Sequence, residues 1–385
     1  MRRPTPLAVA ATALLLALAW QYLTVRFNYG TNWTALFHTG EATSLPPSPE
    51  NQSVYRFPGS LGYDGMYYRL IAHDPLLKKG YATYVDNPSL RWRRILVPGM
   101  ANILAAGRDP LIDYSYIAVT LLFVLLGGFW LSRYCVLNGF HPCWGLAFLL
   151  IPPVMVSLDR QTVDAAAAAL LIGFMLYCSR APYRAYVLLA LLPLARETGL
   201  CITAGAMILE WRRRHRERLI LAAVSIVPFV AWAGYVNLHT SRDGTPWLSL
   251  PFMGLITRTL NPIQYPLTGP WVTTAAVLDY TAVLGMWLAL SFVLYVLLRR
   301  PVGMLGTCLA VFSLAVVFLG KADIWGGAYE FGRTMSPLLI MLMMLTISTR
   351  EYRYLIPMTL VLPRILLQYQ PQVFGILSGI FGQKP

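Results

Sequence analysis

The stretch Gly62-Tyr-Asp-Gly-Met-Tyr-Tyr-Arg69 sets one carboxylate between two glycines and follows it with two tyrosines and an arginine. Glycine lets the backbone turn tightly, so Asp64 can be presented at a bend. A carboxylate held there is a candidate general base, able to take a proton from a reacting hydroxyl. Its plainer reading is a turn residue or a helix cap. Tyr63, Tyr67 and Tyr68 are of the type that settles at a membrane–water boundary. More ionisable groups stand beside apolar runs: Asp159-Arg-Gln-Thr-Val-Asp164, Arg196-Glu197, Lys321-Ala-Asp323 and Glu330-Phe-Gly-Arg333. Charge at membrane depth is costly and marks function. The plainer readings are an N-cap for Asp159 and a structural ion pair for Arg196 with Glu197.

These groups need a scaffold, and the composition says which. The 385 residues are 57% hydrophobic and 12% charged, against about 25% charged in a soluble domain. Apolar runs of roughly 15 to 25 residues recur to the C-terminus, so the expected fold is all-α and polytopic, one membrane domain over 1–385 with about eleven transmembrane helices. The formal charge of +14 gathers in short loops at Arg2-Arg3, Arg133, Arg180 and Arg184, Arg212–Arg218, Arg299-Arg300, and Arg350 with Arg353. That is the positive-inside pattern of membrane insertion rather than a nucleic-acid surface. The five cysteines have no metal-ligand spacing and form no even framework. The run Pro6–Leu23 resembles a signal peptide but shows no clear cleavage site, and reads as a retained first helix.

With basic loops cytoplasmic, spans are expected near 6–25, 112–132, 144–157, 162–178, 219–236, 273–298, 302–319, 335–348 and 354–368. The N-terminus is then cytoplasmic and 27–93 is an extracytoplasmic loop. That loop carries a short interfacial helix ending before Pro75, and 95–106 forms a second one. Between Arg184 and Arg212 both ends are basic, yet two full spans need about 40 residues. Ala185–Glu210 should therefore be a hairpin of half-helices turning at Leu194-Ala-Arg-Glu-Thr-Gly199, with Pro193 and Gly199 as breakers. Irregular backbone at that depth survives only where it lines protein or a wet cavity.

The word Gly62-Tyr-Asp-Gly-Met-Tyr-Tyr-Arg-Leu-Ile-Ala72 resembles bacterial members of the GT-C glycosyltransferase superfamily, and is similar to the Trp-Asp-Gly…Phe…Ile-Ala stretch of GPI mannosyltransferases. Ala195–Gly199 and Glu330–Pro337 are similar to bacterial homologues more weakly. The resemblance implies a protein of the bacterial inner membrane. It would move a sugar from a polyprenyl-phosphate donor to a glycan, lipid or protein acceptor at the extracytoplasmic face, with inversion and with Asp64 as base. Many such enzymes carry two nearby acids in this loop. Here Gly65 follows Asp64 and the next acid is Asp74, so a divalent metal stays an open question. The leaving phosphate needs fixed cations, for which Arg69, Arg196, Lys321 and Arg333 are candidates, with Arg91, Arg93 and Arg94 serving there or on lipid head groups. Glu197, Asp159, Asp164, Tyr67 and Tyr68 complete the expected substrate-binding set. The alternatives are a transporter or flippase of a lipid-linked substrate, and a non-catalytic scaffold subunit.

Overall fold

The computed structural model describes residues 4–241, 247–261, 263, 269–299 and 303–382. Arg2, Arg3, Arg300 and parts of the stretch between the spans expected at 219–236 and 273–298 lie outside the described residues. The first helix, α1 (Pro6–Asn28), starts where Thr5 accepts the Ala8 N–H at 3.2 Å and Pro6 needs no partner for its missing donor. The loop that follows holds two two-residue strands, β1 (Thr39–Gly40) and β2 (Arg56–Phe57), paired in parallel. It then forms α2 (Asp64–His73), α3 (Pro88–Arg93) and α4 (Leu96–Leu104). The two short helices expected before Pro75 and over 95–106 are α2 and α4.

Helix α5 (Asp109–Leu137) runs 29 residues and packs against α1 and α4. Close approach uses small residues, as membrane helices do: a Cβ on Gly127 would lie 2.1 Å from the Phe148 ring. The span expected over 144–157 is not one helix. A 3₁₀ run, Pro142–Leu150, meets α6 (Pro152–Arg160) at a 60° bend. Pro152 and Pro153 lack N–H donors, and Ile151 before them is extended at φ −70° and ψ 127°. Next come α7 (Asp164–Tyr177), α8 (Pro182–Ala195) and α9 (Gly199–Arg212).

Helices α8 and α9 have 14 residues each and break over Arg196–Thr198, inside the turn expected from Pro193 and Gly199. The pair folds back on itself. Tyr186, early in α8, places its hydroxyl 3.5 Å from Glu210 Oε1, late in α9, and Tyr183 donates to Glu217 at 2.7 Å. Both basic flanks of the hairpin therefore lie together. A cysteine at Thr198 in a cysteine-free background should then resist an impermeant thiol reagent applied from the side that labels a cysteine at Arg213. Equal labelling of both positions would refute the buried turn.

The remainder is α10 (Arg216–Val224), α11 (Val227–His239), α12 (Met253–Leu260), α13 (Pro270–Arg299), α14 (Met304–Phe318), α15 (Ala328–Thr334), α16 (Ser336–Thr349), α17 (Ile356–Leu367) and α18 (Gln370–Phe381). The last lies beyond the expected C-terminal span. Among the described residues α1, α5, the α10–α11 pair and α13 are long and apolar enough to cross a bilayer, and counting each bent pair, Pro142–Leu150 with α6 and α15 with α16, as one span makes six. Helices α7, α8 and α14 are apolar but only 14 or 15 residues long. The chain is an all-α protein with the helices of an integral membrane protein. Among the described residues, four to six are long and apolar enough to be spans, where the sequence suggested about eleven.

Candidate functional site

The site is built around the first turn of α2. Gly62 sits at φ +85°, and a Cβ there would lie 2.7 Å from Gly40 N and 2.9 Å from His38 O. Tyr63 is extended, and Asp64 opens the helix. Gly65 is pressed against the end of α6: an added Cβ would stand 2.0 Å from the Arg160 carbonyl oxygen and 2.9 Å from that of Phe37. Both obstacles are backbone and cannot rotate away. Gly65→Ala should therefore cost roughly 1–3 kcal/mol and lower the unfolding midpoint by a few degrees, measured by thermal melting in detergent. An unchanged midpoint would mean that α2 is not seated as described.

Asp64 is held from two sides. Arg91 Nη1 reaches one carboxylate oxygen at 2.8 Å, and Arg333 Nη2 donates to the other at 2.7 Å. Arg91 also grips Asp86 through Nε at 3.0 Å and Nη2 at 2.9 Å, and its guanidinium lies 5.0 Å over the Tyr67 ring. Arg333 spends each nitrogen on a different acceptor: Nε on Asp164 at 2.8 Å, Nη1 on Tyr63 at 2.7 Å and Nη2 on Asp64. Arg196 pairs with the other Asp164 oxygen and donates to Thr334 at 3.0 Å. Alongside, Arg94 forms a two-point bond to Glu197 at 2.8 and 2.6 Å and donates to the Tyr68 hydroxyl at 2.6 Å. The loop, the hairpin turn, α7 and α15 thus share one ionic chain.

Burial alone raises the Asp64 carboxyl, but the charges and hydrogen bonds of Arg91 and Arg333 outweigh it and hold the group well below the usual carboxylate range. Burial likewise works against the charged form of Arg91, and Asp64 with Asp86 more than restores it. Tyr63, Asp64, Asp86, Arg91, Arg94, Arg196, Lys321, Asp323 and Arg333 line a cavity of about 230 Å³. Lys321 Nζ stands 4.9 Å over the Trp247 ring at its edge. A larger cavity, about 480 Å³ and including Tyr134, Arg180 and Ser348, has a single charged side chain among the described residues of its wall, so volume does not pick out the chemistry.

Of the residues expected from sequence, Asp64, Arg91, Arg94, Arg196, Glu197, Asp164, Lys321 and Arg333 gather here, with Tyr67 and Tyr68 beneath Arg91. Arg69 does not belong to the group. It is 1% exposed and turns away to Asp113 and Asn51. Arg93 binds Asn237 at 2.8 Å. Asp159 lies behind the site, accepting from Tyr329 and Gln372 at 3.0 Å and from Arg160 at 3.2 Å; it sits late in α6 and caps no helix. The sequence reading missed Asp86, five residues before Arg91, and Arg160, whose guanidinium lies 4.7 Å over Tyr63 and 5.2 Å over Tyr329. No family model, curated protein or solved structure matches the chain.

Proposed function

We propose that the protein is a membrane glycosyltransferase that moves a sugar from a polyprenyl-phosphate donor to an acceptor hydroxyl at the extracytoplasmic face of a bacterial inner membrane. The observation that carries this reading is the Asp64 carboxylate, held by Arg91 and Arg333 at a small cavity that Arg94, Arg196 and Lys321 also line, together with Asp86, Asp323 and Glu330. The resemblance of the Asp64 word to GT-C enzymes adds to it, and so do the two short helices of the first loop. In this reading the further short or bent helices also cross the bilayer, giving the eleven-span arrangement.

The chemistry follows from the residue types. Asp64 takes the proton of the acceptor hydroxyl as that oxygen attacks the anomeric carbon. The bond from that carbon to the phosphate oxygen breaks, and its electron pair leaves with the lipid phosphate, inverting the centre. The arginines stabilise the charge that develops there. At rest Asp64 is a weak base, because two guanidiniums hold it. A phosphate that engages Arg91 or Arg333 loosens that hold and returns basicity to the carboxylate. At about 230 Å³ the cavity is below the roughly 300–1,000 Å³ of common ligand sites. It suits a head group whose prenyl tail stays in the bilayer.

Native mass spectrometry of the detergent-solubilised protein tests the donor class. A polyprenyl monophosphate should remain bound where the matching polyprenol, identical but for the phosphate, does not. Equal retention of the two would remove the phosphate from the reading.

A further inference from the structure

A second cluster lies at the opposite end of α2 from Asp64. His73, the last residue of α2, is 1% exposed, and both its ring nitrogens face carboxylates: Nδ1 is 2.9 Å from Asp109 and Nε2 is 3.2 Å from Asp113. Asp113 is also fixed by Arg69, through Nε at 2.8 Å and Nη2 at 3.0 Å. Glu50 comes in from the turn Pro49–Asn51, and the ligand atoms of Glu50, His73 and Asp109 all lie within 4.8 Å of one another. We infer that Glu50, His73 and Asp109 form a divalent-cation site, suited to Zn²⁺ or Mn²⁺, which clamps the first loop and α2 onto the start of α5.

A neutral imidazole has one N–H. If Nε2 donates it to Asp113, Nδ1 turns a lone pair towards the Asp109 carboxylate, and two lone pairs at that distance need a cation between them. A proton on Nδ1 would also fill the gap, but it engages Asp109 and leaves Glu50 bonded to Tyr81 rather than to the histidine. A metal ion uses all three groups. Imidazole nitrogen and carboxylate oxygen are both ligands that zinc takes, and carboxylates suit manganese. The Asp113 contact to the far nitrogen is the outer support that metal-binding histidines use. Lys79 Nζ, 2.9 and 3.0 Å from the Asp109 oxygens, stands in as the positive charge and is 41% exposed, so it can swing out. Tyr81, which donates to Glu50 at 2.5 Å, would orient that ligand.

The test is thermal unfolding and calorimetric titration of chelator-treated, full-length protein with Zn²⁺ and with Mn²⁺ separately. At least one ion should raise the unfolding midpoint and bind with a stoichiometry near one. Glu50→Gln, which keeps the shape and removes a ligand, should weaken binding by at least the roughly tenfold that loss of an outer partner costs. Lys79→Met should tighten binding by removing the competing ammonium. No shift in either the wild type or Lys79→Met would overturn the site. A shift unchanged in Glu50→Gln would place the metal elsewhere and overturn it equally.

Discussion

Asp64→Asn is expected to lower sugar transfer by roughly 10²–10⁴-fold, the usual contribution of a positioned general base, in reconstituted vesicles carrying labelled polyprenyl-phosphate sugars. The variant should also be less stable. It removes the charge that Arg91 and Arg333 share at 2.8 and 2.7 Å, and breaking a buried ion pair costs roughly 3–5 kcal/mol. Rates must therefore be compared per folded molecule. The two effects separate with pH. The Asp64 carboxyl is held low in the folded protein, so its contribution is complete above the unfolded value, about 3.9, and is lost as pH falls through the folded value. The stability gap between wild type and variant should be constant from neutral pH to about 5 and close only in stronger acid. Retained transfer in a folded variant would remove Asp64 from the role of base.

Replacing Arg333 is expected to be as severe, and lysine should not rescue it. Arg333 serves Asp164, Tyr63 and Asp64 through three different nitrogens. A lysine ammonium is a single point and cannot reach all three directions. Arg333→Gln and Arg333→Lys should both lose roughly 3–5 kcal/mol and bind polyprenyl monophosphate at least tenfold more weakly. Arg93→Lys is the contrast. Among the described residues its one side-chain hydrogen bond goes to Asn237, and its effect should stay near the roughly 0.5–1.5 kcal/mol of a single hydrogen bond. Melting curves and lipid retention on all three variants decide the matter, and full rescue by lysine would show that only net charge counts.

The broken hairpin was legible because its signals are local: a proline, a glycine and basic residues at both ends of a segment too short for two spans. The end of α2 just before Pro75 was legible for the same reason. Helical geometry also separates the tyrosines from Arg69. At 100° per residue, Tyr68 comes round to within about 40° of Asp64, while Arg69 lies about 140° away. Residue chemistry alone grouped Arg69 with the site; its position on the helix excludes it. The bend at Ile151 was hidden in an apolar run, although Pro152-Pro153 carried the signal. The partners that turn Arg69, Asp159 and His73 aside, namely Asp113, Gln372 and Asp109, come from distant segments, and no local spacing announces them.

Every arginine of the cavity already has an acidic partner: Arg91 has Asp64 and Asp86, Arg94 has Glu197, Arg196 has Asp164, and Arg333 has Asp64 and Asp164. An arriving anion is therefore swapped in, as on an ion-exchange resin whose counter-ions are tethered to the matrix. Tethered carboxylates compete at high effective concentration, so chloride at ordinary ionic strength makes a poor displacer. Only an anion with several oxygens in a fixed geometry, backed by the membrane anchorage of its own tail, is placed to win the trade.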